Sequence, residues 1–131
     1  MSYLLDTNIC VYAIKRWPTV IERLQALSPD DVAVSAVTLA ELWFGARKSS
    51  KPVPTRANVD AFLLPFAVIP FDPGAADSYA EIRLELERTG RPIGERDLLI
   101  ASTALSRGFT VVTHNVGEFS RVSGIAVEDW V

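Results

Sequence analysis

Three carboxylate residues occupy positions where they could bind a metal ion or take part in catalysis: Asp6, Glu41 and Asp97. Asp6 directly follows a short apolar run, Glu41 lies among apolar residues of a predicted helix, and Asp97 precedes an apolar helical segment. Each also has a purely structural interpretation, as a helix cap, a solvent-facing side chain or a first-turn acid. If they converge, carboxylates about 4 Å apart repel by about 4 kcal/mol at an effective dielectric constant of 20, so a cation or protons must neutralise them.

The chemistry of that cation follows from what the chain lacks. One histidine and one cysteine cannot supply a set of nitrogen and sulfur ligands for structural zinc. Carboxylate oxygens are hard ligands, and they suit magnesium or manganese with retained waters. The three acids therefore predict a site for a hard divalent cation, provided that the fold brings them together.

Short apolar runs alternate with helical patterns along the chain. Predicted strands are residues 3–5, 32–34, 67–70, 110–113 and 125–127, and predicted helices are residues 9–16, a segment from 18, a segment after 35, 56–66, 73–90 and 95–107. Ser35 and Asp72 stand at predicted helix caps, and Gly90 and Gly108 follow predicted helix ends.

This alternation predicts an α/β fold, because strands separated by crossover helices pair in parallel and are covered on both faces. We expect one domain, residues 1–131, built as an α/β/α sandwich around a central, mainly parallel sheet. Ligands of such sheets bind beyond the carboxyl ends of the strands, which is where Asp6 would lie.

Composition indicates a globular protein, with 49% hydrophobic residues and a net charge of −3. No signal peptide or membrane span is predicted, so we expect a cytoplasmic protein. Cys10 is predicted to be buried. The negative net charge is not typical of a nucleic-acid-binding protein, so any nucleic acid must be bound by a local group of residues.

Basic and aromatic residues offer surfaces whose use the sequence leaves open. Each basic group is either a solvated helix face or a rim that contacts phosphates. Each large aromatic side chain suits either a protein interface or the core. The basic groups are Arg47, Lys48, Lys51 and Arg56, and Arg83, Arg88, Arg91 and Arg96; the aromatics are Trp17, Trp43, Phe44 and Trp130.

Four ordered motifs and the ending carry a family resemblance. They are Leu4-Leu5-Asp6-Thr7-Asn8, Ser35-x-x-Thr38-x-x-Glu41-Leu42, Pro92-Ile93-Gly94-x-x-Asp97-x-x-Ile100-Ala101, Val111-Val112-Thr113-x-Asn115-x-x-Glu118-Phe119 and the ending Val127-Glu128-Asp129-Trp130. Together they resemble the motifs of PIN-domain nucleases, specifically VapC-type toxins. The resemblance spans essentially the whole chain.

The resemblance implies a metal-dependent endoribonuclease that hydrolyses RNA phosphodiesters with a metal-activated water. Asp6, Glu41 and Asp97 match the metal-holding catalytic acids, with Mg²⁺ as the ion and Mn²⁺ as a substitute. Asn115 matches a fourth catalytic position that is commonly an aspartate, and Glu118 is a nearby candidate to replace that acid.

Two residues beside the first acid have further roles in this interpretation. Thr7 resembles the family's hydroxyl residue, which orients a metal-bound water, although capping the next helix is an equally good interpretation. Asn8 is predicted only to cap that helix.

The resemblance also implies partners: a VapB-like antitoxin, and assembly as a homodimer or as a toxin–antitoxin hetero-oligomer. The alternatives are a PIN nuclease of RNA processing outside any toxin pair, and a phospho-acceptor signalling domain. The signalling domain is disfavoured because no second strand-end aspartate is present and no lysine follows Lys51. His114 is disfavoured as a general base, because it lacks a second acid–base group opposite it.

Overall fold

The computed structural model describes residues 2–131, and the predicted alternation of strands and helices is present. Within these residues the strands are β1 (Tyr3–Leu5), β2 (Val32–Ser35), β3 (Ala67–Ile69), β4 (Thr110–Val112) and β5 (Ala126–Glu128). The α-helices are α1 (Thr7–Ile14), α2 (Pro18–Gln25), α3 (Ala36–Lys48), α4 (Pro52–Leu63), α5 (Pro73–Arg88), α6 (Glu95–Arg107) and α7 (Val116–Phe119), and a 3-10 turn covers Pro29–Asp31.

The strands form one five-stranded sheet in the order β3-β2-β1-β4-β5, and every neighbouring pair is parallel. β1 is central, with Leu5 in register with Val34 of β2 on one side and Val112 of β4 on the other. The carboxyl ends of these three strands therefore meet at one edge, where the residues after β1 and β4 are brought together. The predicted sandwich is confirmed, and the sheet is entirely parallel.

Two hydrophobic layers cover the two faces of the sheet, because alternate strand residues point to opposite sides. Leu4, Ala33 and Val111 share one layer with residues of α5 and α6. Leu5 and Val112 share the other with residues of α1, α3 and α4. The three inner strands β2, β1 and β4 are thus buried on both faces, as expected for parallel sheets whose crossovers are helices, whereas the edge strands β3 and β5 are more exposed.

Some sequence predictions were inexact. The helix predicted at 56–66 begins at Pro52, because proline is favoured at the first helical position and Pro54 also falls in the first turn, where backbone N–H groups need no helical partner. The four-residue helix α7 was not predicted, since four residues carry too little periodicity.

Two other predictions concern the burial of Cys10 and the presence of a membrane span. Cys10 is fully buried, as predicted, and burial raises the pKa of its thiol, so it is a packing residue. Among residues 2–131, no helix combines the length and the apolar character that a membrane crossing requires.

Gly108 sets the turn from α6 into β4. It has φ +70°, the left-handed conformation that ends many helices and that side chains with a Cβ disfavour. The backbone N–H of Phe109 then donates to the Ala104 carbonyl oxygen at 2.9 Å. This turn directs β4 toward the sheet edge that carries Asp6.

We expect Gly108→Ala to lower the free energy of unfolding by roughly 1–2 kcal/mol, the cost of a left-handed alanine. A Cβ at Gly108 meets no atom within 4 Å, so the cost is backbone strain alone. Gly45→Ala is the matched control, because Gly45 lies inside α3, also has an open Cβ position, and should gain about 0.5–1 kcal/mol. Urea unfolding measures both, and equal effects at the two positions would contradict the prediction.

Candidate active site

Three hydrogen bonds hold Asp6 at the end of β1. Its backbone N–H donates to the Val112 carbonyl oxygen at 2.9 Å, continuing the pairing with β4. One carboxylate oxygen accepts from Ile9 N at 3.1 Å and so caps α1, and the other accepts from Thr113 Oγ1 at 2.6 Å. The side chain is only 4% exposed, and burial raises the pKa of this carboxyl despite those hydrogen bonds.

Thr113 and Asn115 occupy the loop that follows β4. The Thr113 backbone N–H donates to the Glu128 carbonyl oxygen at 2.9 Å, which holds this loop against β5. The buried Thr113 hydroxyl, already bonded to Asp6, accepts from Asn115 N at 2.9 Å. One threonine therefore connects the first acid to the loop that carries Asn115.

Asp97 and Glu118 lie on either side of the Asn115 amide. Asn115 Nδ2 donates to Glu118 at 2.6 Å and to Asp97 at 3.2 Å. Burial and the negative charge of Glu118 raise the pKa of Asp97 to about 6. The Gly94 backbone N–H donates to Glu118 and lowers the pKa of that carboxyl.

Glu41 reaches the same region from the middle of α3. Its Oε1 accepts from Thr7 Oγ1 at 2.6 Å, and its Oε2 lies 2.9 Å from the Arg96 guanidinium. The Glu41 side chain is 22% exposed, whereas that of Arg96 is 74% exposed. The cation that Glu41 requires is thus supplied, in this structure, by an arginine at the mouth of the site.

Asp6, Glu41, Asp97 and Glu118 form an acidic row and not a closed cage. Asp6 connects to Asn115 through Thr113, and Asn115 contacts both Asp97 and Glu118. Glu41 is close enough that its charge contributes to raising the pKa of Asp6. Within residues 2–131, no three histidine, cysteine, aspartate or glutamate side chains are arranged as a complete metal site. The donor set nevertheless fits a hard cation, because it consists of carboxylate and amide oxygens, and a cation would offset the raised pKa values of Asp6 and Asp97.

Some roles were not visible in the sequence. Thr113 belongs to the fourth motif but is predicted as the last residue of a strand, and its place beside Asp6 follows only from the observed end of β4 at Val112. Arg96 stood in a basic group, but its contact with Glu41 depends on how α6 faces α3, which local patterns do not encode. The prediction that Asn8 caps α1 is wrong: Asp6 provides the cap and the helix begins at Thr7.

The structure distinguishes between the two interpretations of the basic and the aromatic residues. Arg56 and Arg83 form ion pairs within their own helices, which indicates solvated helix faces, whereas Arg96 borders the acids. Trp130 is 2% exposed and belongs to the core, while Phe44 is 62% exposed.

Comparisons with known proteins agree with this geometry. The family model of the PIN domain matches residues 3–125. The tRNA(fMet)-specific endonuclease VapC of Shigella flexneri is 42% identical over 130 residues, covering 99% of this chain and 98% of the relative. Ribonuclease VapC2 of Rickettsia felis is 42% identical over 132 residues, with the same coverages.

A solved structure extends the likeness to three dimensions. The crystal structure of VapBC2 from Rickettsia felis bound to a DNA fragment from their promoter contains a chain that matches with a TM-score of 0.95 and 41% identity, over 100% of both chains. Sequence, fold and family model thus agree over the chain: it belongs to the PIN-domain family, among the VapC ribonucleases.

Proposed function

We propose that this VapC ribonuclease cleaves RNA at the acidic row, with Mg²⁺ held by Asp6, Asp97 and Glu41 and Mn²⁺ able to substitute. VapC nucleases of the PIN family depend on a divalent metal ion. Asn115 and Glu118 complete the catalytic group beside those ligands. The observation that carries the proposal is the hydrogen-bonded connection from Asp6 through Thr113 and Asn115 to Asp97 and Glu118.

Electrostatics support a cation at this position. Burial raises the pKa of Asp6 and, together with the charge of Glu118, that of Asp97. A divalent ion between them would offset this repulsion and favour the ionised carboxylates. When bound, the ion lowers the pKa of a coordinated water and offsets the charge that develops on the phosphate.

The chain's own residues supply orientation. Thr113 fixes one oxygen of Asp6, and the Gly94 N–H and the Asn115 amide hold Glu118 in its ionised form. Thr7 donates to Glu41 Oε1, while Glu41 Oε2 accepts from Arg96, so the two contacts together orient this carboxylate. In this role Thr7 orients an acid, in addition to any water that it contacts during the reaction.

We further propose the biological setting. RNA is the substrate, a VapB-like antitoxin is the partner, and the protein acts in the cytoplasm as a homodimer or as a toxin–antitoxin hetero-oligomer. The toxin interpretation is preferred over an RNA-processing nuclease because the matching solved structures include VapBC complexes from Rickettsia felis and Salmonella typhimurium. Membership of the PIN family disfavours the phospho-acceptor alternative.

Asp6→Asn and Asp97→Asn should each lower RNA cleavage more than about 100-fold, since even groups that merely orient a metal ligand contribute about 10- to 100-fold. EDTA should abolish the wild-type activity, and added Mg²⁺ or Mn²⁺ should restore it. Gel-based cleavage of a cellular RNA preparation measures the rates. Asp77→Asn is the matched control, because Asp77 is exposed on α5 and should retain the wild-type rate.

Wild-type cleavage by either variant, or cleavage that persists after chelation, would contradict the assignment. Circular dichroism should show that both variants are folded, so that loss of cleavage is attributed to the chemistry.

Thr113→Val should lower the cleavage rate about 10- to 100-fold while leaving a folded protein, because valine matches threonine in shape but can neither donate to Asp6 nor accept from Asn115. Thr113→Ser retains the hydroxyl and should recover most of the rate. Because a positioning residue also affects metal affinity, Mn²⁺ binding measured by calorimetry should weaken for valine and recover for serine. Equal behaviour of the two variants would show that the hydroxyl has no such role.

The metal-free protein should become less stable as pH rises from 5 to 7. Asp97 has a folded pKa of about 6, above its ordinary value, so its contribution to stability is full below the unfolded pKa and is lost as pH rises through about 6. Asp97→Asn should flatten that decline, and added Mg²⁺ should reverse it in the wild type. Thermal unfolding at pH 5, 6 and 7 measures the effect, and identical pH profiles for both proteins would refute it.

A further inference from the structure

A cavity of about 330 Å³ opens to solvent beside the acidic row. Three of its lining residues, Asn8, Val11 and Tyr12, lie on α1, Lys15 directly follows this helix, and the fifth is His114 from the loop after β4. Residues 8, 11 and 12 share one helix face because they are three and four positions apart. The cavity is thus a groove between α1 and the loop that carries Asn115.

Its position ties it to the cleavage site. Asn8 follows Thr7, whose hydroxyl donates to Glu41, and His114 lies between Thr113 and Asn115. Two residues that line the cavity, Asn8 and His114, are therefore immediate chain neighbours of site residues.

Two lining residues of the groove, Tyr12 and His114, belong to an aromatic row that continues to Trp17. The ring of His114 meets that of Tyr12 edge to face, with centroids 6.1 Å apart, and Tyr12 meets Trp17 in the same manner at 5.1 Å. Asp129 lies 3.0 Å from His114 Nδ1 and holds that ring in place. Trp17 lies outside the groove and is 44% exposed, so the row extends from the groove to the protein surface.

We propose that this cavity is a nucleobase subsite, which binds one unpaired RNA base adjacent to the cleaved phosphodiester. This deepens the proposed function and rests on it. The ring of Tyr12, braced by His114, offers a face or edge for stacking, Asn8 offers an amide for a base edge, and Lys15 offers a cation for a backbone phosphate. Single-stranded nucleic acid is held by this combination of aromatic platforms and basic groups.

The composition of the groove favours RNA over a protein segment. Val11 is the only aliphatic lining residue, whereas a docked peptide helix requires a row of apolar contacts. The exposed Lys15, at the C-terminal end of α1, adds a positive charge to the groove in a chain of net charge −3, and so attracts phosphate locally. A duplex keeps its bases stacked, so the subsite selects unpaired RNA.

Tyr12→Leu and Tyr12→Phe, each made in the non-cleaving Asp97→Asn background, separate the ring from the hydroxyl. Fluorescence anisotropy with a labelled single-stranded oligoribonucleotide, and with the same sequence as a duplex, measures affinity. We expect leucine to weaken single-strand binding about 5- to 100-fold and phenylalanine to change it less than about 2-fold. Duplex binding should be weaker than single-strand binding in the parent and should not respond to either change.

Lys15→Gln provides an independent test, because Lys15 is exposed and its replacement does not affect the core. Loss of one phosphate contact should reduce the slope of log affinity against log salt by about 0.7. Lys51→Gln is the matched control: this exposed lysine lies between α3 and α4, outside the cavity, and its variant should keep the parental slope.

The outcomes distinguish this inference from the proposed function. If the parent binds RNA and Tyr12→Leu and Lys15→Gln bind it equally well, the subsite is refuted while the nuclease assignment stands. If the variants lose affinity only for the antitoxin, the cavity is a protein-docking surface and the inference is overturned. If the wild-type protein neither binds nor cleaves RNA, the proposed function itself fails.

Discussion

Repulsion among carboxylates at one edge of the sheet is the constraint on which the structure of the site depends. Parallel pairing of β1 with β4 places Leu5 level with Val112, so Asp6 and Thr113 leave the sheet side by side. Helix α6 then brings Asp97 toward them, and burial together with the charge of Glu118 raises the pKa of Asp97 to about 6. The fold thus concentrates negative charge where the strands end, at an energetic cost that a bound cation offsets.

Hydrogen bonds keep this charged group ordered. Thr113, Asn115 and the Gly94 backbone each contact an acid, and each is fixed by its own strand, loop or helix start. The group therefore needs little reorganisation when a ligand arrives, which is the property that preorganised catalytic sites share. Glu41 differs, because its partner Arg96 is largely exposed and can leave without disturbing the core.

Local signals account for what the sequence could predict. Residues 3–5 and 95–107 were predicted with their observed bounds, because an apolar run before Asp6 and a terminal glycine at Gly108 are strictly local features. The start of α4 was missed, since Pro52 and Pro54 are equally compatible with a break. The acids were identified from their places after strands and in helices, and their catalytic roles stay predictions. The contacts of Thr113 and Arg96 depend on which helices face each other, and no local pattern specifies that.

Asp6 combines a folding role with a charge. As the cap of α1 its oxygen accepts the Ile9 N–H, and asparagine fills such positions about as well, whereas alanine costs about 0.5–2 kcal/mol. The second oxygen of Asp6 accepts from Thr113, and an asparagine could not satisfy both contacts through its single oxygen. If Asp6 holds the metal as proposed, a variant with asparagine here would keep the cap of α1 and lose both the Thr113 contact and the metal-binding charge.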